Sequence, residues 1–119
     1  MSDIALEELV ERLGTVPIVD VRSPPEYDGS GGNACDPRQG HIPGARSFDV
    51  YRLLEMPTDD VKAELGLADG AEVIVYCHSG SRSSLAAQAL NSIGYEARNY
   101  VGSWHEWSRH DELPLETGS

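Results

Sequence analysis

The chain has 119 residues, with 9 Lys+Arg against 20 Asp+Glu for a formal net charge of −11, and 2 cysteines. That length predicts a single domain over residues 1–119, and the absence of any basic run excludes a nucleic-acid or anionic-membrane surface. Two cysteines without a CxxC pair are too few for a disulfide framework, Val73–Tyr76 is too short an apolar stretch to span a bilayer, and the first residues lack a basic, apolar leader; a cytoplasmic setting with no membrane partner is expected.

Leu6, Leu9, Val10 and Leu13 recur at helical spacing, and Gly14 stands where a C-terminal glycine stops a helix. Pro17-Ile18-Val19-Asp20-Val21 is a short β-branched run that reads as a buried strand, broken by Ser23-Pro24-Pro25. Residues 28–39 are polar and glycine-rich and read as an exposed loop insertion. Gly40 to Ala45 forms a turn into a short strand, Arg46-Ser47-Phe48. Leu53, Leu54 and the Val61 to Leu65 segment predict two short helices, the second capped by Thr58 or Asp59. Val73-Ile74-Val75-Tyr76 is the strongest strand signal in the chain. A helix over residues 83–90 follows, stopped by Gly94, and a weak strand covers Ala97 to Tyr100. Trp104 and Trp107 fall on a short last helix, and residues 112–119 form a tail. Strands alternating with helices predict an α/β fold, a central parallel sheet of about five strands with helices on both faces.

The chemistry concentrates between the Val73–Tyr76 strand and the next helix, in Cys77-His78-Ser79-Gly80-Ser81-Arg82. Ligands of α/β sheets bind beyond the carboxyl ends of strands, where Cys77 falls. The following helix offers unpaired N–H groups and a partial positive charge. Gly80 permits a tight turn that aims amides inward, and Arg82 adds a permanent charge at the rim. A free thiol of pKa about 8.5 is mostly neutral at pH 7, and lowering it two units takes about 2.7 kcal/mol. A helix N-terminus supplies up to about 2 kcal/mol, and hydrogen bonds to a charged acceptor roughly 1.5–3 kcal/mol each. Backbone alone therefore suffices to make Cys77 a nucleophile.

This loop resembles the Cys-x-x-Gly-x-Arg active loop of single-domain members of the rhodanese family. Val19-Asp20-Val21-Arg22 with Glu26-Tyr27 resembles the family's first strand and turn, Gly40-His41-Ile42-Pro43-Gly44-Ala45 its Gly-His-Ile-x-Gly-Ala signature, and Tyr100 to Trp107 its closing motif. The resemblance implies a rhodanese-like sheet and a sulfurtransferase. Sulfane sulfur from a donor such as thiosulfate would pass through a Cys77 persulfide to cyanide, a small thiol or a protein thiol. Carried over by position, Cys77 is the nucleophile, residues His78, Ser79, Gly80, Ser81, Arg82 and Ser83 form the cradle, and Arg82 attracts an anionic donor. No metal or organic cofactor is implied.

Three features depart from the family pattern. The closing motif and the tail look most like the catalytic half of two-domain sulfurtransferases, whose active loop lacks Arg82. Glu26 stands where those enzymes place a substrate-binding arginine. The 28–39 insertion brings Cys35, which reads either as an exposed free thiol or as a redox partner that resolves the Cys77 persulfide. Asp20, Arg22 and His41 read as supporting residues that tie strand ends and turns together. His105 and His110, with Glu106 or Asp111, have a spacing that fits no metal site. Two alternatives remain open: a non-catalytic binding module of the same family, and a phosphatase or arsenate reductase of the same fold. Against the second, those enzymes cradle an oxyanion in a loop one residue longer than the four residues between Cys77 and Arg82.

Overall fold

The computed structural model describes residues 2–118. In chain order the elements are β1 (Ser2–Asp3), α1 (Leu6–Glu11), β2 (Ile18–Asp20), α2 (Pro24–Asp28), β3 (Arg46–Ser47), α3 (Val50–Glu55), α4 (Thr58–Leu65), β4 (Glu72–Tyr76), α5 (Ser81–Ser92), β5 (Glu96–Asn99) and α6 (Ser103–Trp107). All strands pair in parallel, in the order β1-β5-β4-β2-β3. Parallel neighbours need crossovers, and the helices supply them on both faces of the sheet.

Side-chain alternation along β4 sorts the core into two layers. Val73, Val75 and Cys77 join one buried cluster with Ala86, Ala87 and Leu90 of α5. Ile74 and Tyr76 join the other with Leu9, Ile42, Trp104 and Trp107. The period-two register of a strand therefore aims Cys77 toward α5. The chain leaves β2 toward β3 on one side and β4 toward β5 on the other. The carboxyl ends of β2 and β4 thus flank the point where strand order reverses, the crevice in which open α/β sheets bind ligands.

Two elements escape the sequence pattern. β1 is too short to carry a period and is defined only by pairing with Arg98 and Asn99 of β5. The Ser23-Pro24-Pro25 break is instead the start of α2. Its prolines occupy the first helical positions, where the missing N–H costs nothing, and Ser23 and Glu26 close a capping box. The cap of α4 also differs from expectation. Pro57 holds the extended cap position and its carbonyl accepts from Asp60 and Val61, leaving Thr58 and Asp59 inside the first turn.

The insertion is not simply an exposed loop. Arg38 donates to the carbonyls of Trp107, Ser108, His110 and Leu113, bonding carbonyls at the end of α6 and in the chain beyond it. Trp104 Nε1 donates to the Arg38 carbonyl at 3.0 Å, and Asp36 is buried. The tail packs back as well. Leu113 and Leu115 lie against the second core layer, and Glu116 bridges to His41 through both backbone groups. Gly40, at φ +134°, permits this, because a Cβ there would run into the Glu116 carbonyl.

Each lysine and arginine is engaged. Arg12, Arg22, Lys62, Arg82, Arg98 and Arg109 meet carboxylates, as does Arg52 with Glu64, while Arg38 and Arg46 donate to carbonyls. Among the described residues, no helix is long and apolar enough to cross a membrane.

Candidate active site

Cys77 follows β4 directly and is nearly sealed, at 1% exposure, yet its sulfur lies among donors. The Gly80 N–H points at Sγ from 3.1 Å and the Ser83 hydroxyl from 3.3 Å. Burial pushes the thiol pKa up. The Ser83 hydroxyl and the amides of Ser83, Gly80 and Ser79 outweigh it, so the net displacement is below the ordinary cysteine value. The Ser83 hydroxyl also lies 3.2 Å from the Gly80 carbonyl, but it has a single proton to give. The Ser84 N–H and Asn99 Nδ2 donate to that carbonyl at 2.9 and 3.2 Å, filling its two lone pairs and leaving the Ser83 proton for the sulfur.

The turn depends on Gly80, the residue before α5, at φ +100°. A Cβ there would lie 2.9 Å from the Val101 carbonyl oxygen, so the position is closed to other residues by both conformation and space. The loop is gripped from below by the β5–α6 segment. The Cys77 N–H donates to Ser103 Oγ at 3.1 Å, and the Trp104 and His105 amides donate to the Cys77 and His78 carbonyls at 3.0 and 2.9 Å. Ser103, at φ +55°, is the one non-glycine with a left-handed backbone among the described residues. Holding it there costs free energy, and the grip on the Cys77 amide is what that conformation achieves. Ser103 and Asn99 are contributors that the sequence reading missed. Ser103 lies inside the closing motif, while nothing in the spacing marks Asn99.

Arg82 is not a free charge at the rim. Its guanidinium pairs with both oxygens of Glu26, at 2.9 and 3.1 Å, across α2 and α5. Burial pushes the Glu26 carboxyl up, but Arg82 and the Ser23 amide and hydroxyl outweigh it and hold the pKa at about 2. The acid thus stays charged beside the loop.

Asp20 and Arg22 form a sealed ion pair, with Arg22 Nη2 2.7 Å from Asp20 Oδ2 and 2.6 Å from the Gly40 carbonyl oxygen. The guanidinium also lies 5.1 Å from the Trp104 ring centroid. The pair binds the end of β2 to the turn before β3 and to α6, with no contact to the sulfur. His41 stacks on Tyr27 at 3.8 Å and its Nδ1 meets the Tyr27 carbonyl at 2.8 Å, so it fastens a turn. His78 turns its ring away from the cradle toward Asp36, at 3.0 Å. Cys35 and Cys77 are both free thiols, and Cys35 is exposed beside Asp36. His110 pairs with Glu112, apart from His105. A hollow of about 350 Å³ lined by Gly14, Val16, Pro43 and Arg46 lies at the opposite, amino ends of the strands.

The geometry aims an amide N–H and a hydroxyl at one buried sulfur, which favours its thiolate form. Over 92% of its length the chain is 35% identical to a thiosulfate sulfurtransferase of Pseudomonas aeruginosa, and over 91% it is 36% identical to one of Azotobacter vinelandii. These alignments cover 44% and 43% of the relatives, so the chain spans less than half the length of the curated proteins it matches. A crystal structure of a probable thiosulfate sulfurtransferase superposes with a TM-score of 0.84 at 40% identity, over 96% of this chain and 47% of that one. The family model described as the rhodanese-like domain matches residues 5–110, from α1 past the grip on Cys77, and the chain belongs to that family.

Proposed function

We propose that the chain is a single rhodanese-like catalytic unit that transfers sulfane sulfur through a persulfide on Cys77, with thiosulfate as donor and cyanide or a small or protein thiol as acceptor. The observation that carries this reading is the pair of donors at 3.1 and 3.3 Å on the Cys77 sulfur, which favours the anion in an otherwise sealed site. The names of the relatives in Pseudomonas aeruginosa and Azotobacter vinelandii supply the substrate class.

In the first half-reaction the thiolate attacks the outer sulfur of thiosulfate. A Cys77 S–S bond forms, the S–S bond of the donor breaks, and sulfite leaves with the bonding pair. The outer sulfur then carries the negative charge, and the N–H groups at the start of α5 face it. In the second half-reaction the acceptor attacks that outer sulfur, and the electron pair of the broken bond returns to Cys77 as thiolate. Both free thiols fit a reducing, cytoplasmic setting.

Intact-mass measurement after mixing with thiosulfate tests the proposal. A gain of one sulfur is expected, absent in Cys77→Ser and reversed by cyanide with release of thiocyanate. A wild-type protein that gains no sulfur from thiosulfate or any other sulfane donor would falsify it. Turnover of an aryl phosphate, lost in Cys77→Ser, would assign the loop to phosphate chemistry instead.

A further inference from the structure

The insertion, the second residue of the active loop and α6 converge on one cluster outside the sulfur cup. Cys35 Sγ, an Asp36 oxygen, a His78 ring nitrogen and a His105 ring nitrogen all lie within 4.8 Å of one another. Asp36 is at the centre. Its oxygens are 3.0 Å from His78 Nε2, 3.8 Å from Cys35 Sγ and 4.0 Å from His105 Nδ1. The Asp36 side chain is 1% exposed, and its Oδ2 lacks an aligned hydrogen-bond donor. The nearest candidate, His78 Nε2, is hydrogen-bonded to Oδ1 instead, at 3.1 Å. Oδ2 has His78 Nε2 within reach at 3.0 Å but off the hydrogen-bond line, and a sealed carboxylate oxygen so poorly satisfied is costly unless something else binds it.

We propose that Cys35, Asp36, His78 and His105 form a binding site for a zinc ion. Zinc takes four ligands at about 2.0–2.3 Å, which sets ligand–ligand distances of roughly 3.3–3.7 Å. The cluster needs to contract by about 1 Å at most, from side chains on a loop and a helix end. Thiolate and imidazole donors select zinc over magnesium or calcium, which take oxygen. A thiolate and a carboxylate neutralise the dication. Arg109, 2.9 Å from Asp36 Oδ1 and bonded to the Cys35 carbonyl, orients the carboxylate from outside, while its charge opposes the ion and limits affinity. On binding, Cys35 coordinates as the thiolate and gives up its proton, and His78 carries its ring proton on Nδ1 so that the Nε2 lone pair faces the ion. The ion would staple the insertion to the active loop and α6.

Titration of the metal-free full chain with cobalt(II), followed by absorbance and then displaced with zinc, tests the site. One equivalent is expected, with tetrahedral bands and a sulfur-to-cobalt charge-transfer band. Cys35→Ser loses the charge-transfer band, His105→Ala weakens binding by at least about tenfold, and Cys77→Ser alters neither. Far-UV circular dichroism confirms that these variants fold. The proposal is overturned by non-saturating or octahedral cobalt in the wild type, by a charge-transfer band that survives in Cys35→Ser, or by its loss in Cys77→Ser. None of these readouts depends on sulfur transfer.

Discussion

The Ser83 hydroxyl, with the loop amides, offsets the burial of the Cys77 thiol and favours its ionised form. Ser83 is the only side chain donating to the sulfur among the described residues, and Asn99 with the Ser84 N–H frees its proton for that task by occupying the Gly80 carbonyl. A thiol whose folded pKa is depressed contributes stability that is present above its unfolded value, about 8.5, and lost as pH falls through the folded value. The rate of persulfide formation follows the same ionisation, rising with pH until the thiolate is complete. Ser83→Ala removes one charge-assisted hydrogen bond, worth about 1.5 kcal/mol, and is expected to move that rise about one pH unit toward alkali. Single-turnover persulfide formation across pH measures it. A lower plateau with an unmoved midpoint would mean that Ser83 acts through packing alone.

The pairing of α2 with α5 decides how the loop meets an anion. Glu26 sits at the third position of α2, where it closes the capping box with Ser23 and also takes Arg82. Its carboxyl, held at about 2, stays ionised in any working buffer, so a dianionic donor approaches an arginine that is already neutralised. Glu26→Gln keeps the capping geometry and removes the charge. It is expected to lower KM for thiosulfate by about two- to fivefold, with kcat little changed, as fits the modest worth of a part-buried pair still reached by solvent. Steady-state kinetics decides, and an unchanged KM would place the donor away from Arg82. The sequence exposes the loop because strand, cysteine, glycine and helix are contiguous in it. The Glu26–Arg82 pair spans 56 residues, and Asp36, in a glycine-rich insertion, acquires its role only when α6 packs beside it. Contacts of that kind are set by tertiary packing. The parallel sheet was legible from alternating apolar runs, whereas β1 and α2 were not, being defined by pairing and capping.

Across the whole molecule the sequence indicated charge but not where it is spent. Counting 9 cations against 20 acids predicts a strongly acidic protein with no basic face. Folding adds that the cations are engaged, Arg38 in fixing the insertion to α6 and Arg22 in the sealed pair behind the loop. The surplus acids therefore set the far field, and like-charge repulsion slows the encounter with a dianionic donor. Small ions relieve that repulsion. The second-order rate of sulfur loading is expected to rise by roughly two- to fivefold between about 10 and 150 mM sodium chloride, as the Debye length shortens from about 30 to about 8 Å. A rate that instead falls with salt would place a net attractive potential at the mouth of the cup. With the protein's positive groups tied down in this way, the proposed sulfur transfer is expected to run faster in a saline medium than in dilute buffer, so assays at low ionic strength would understate it.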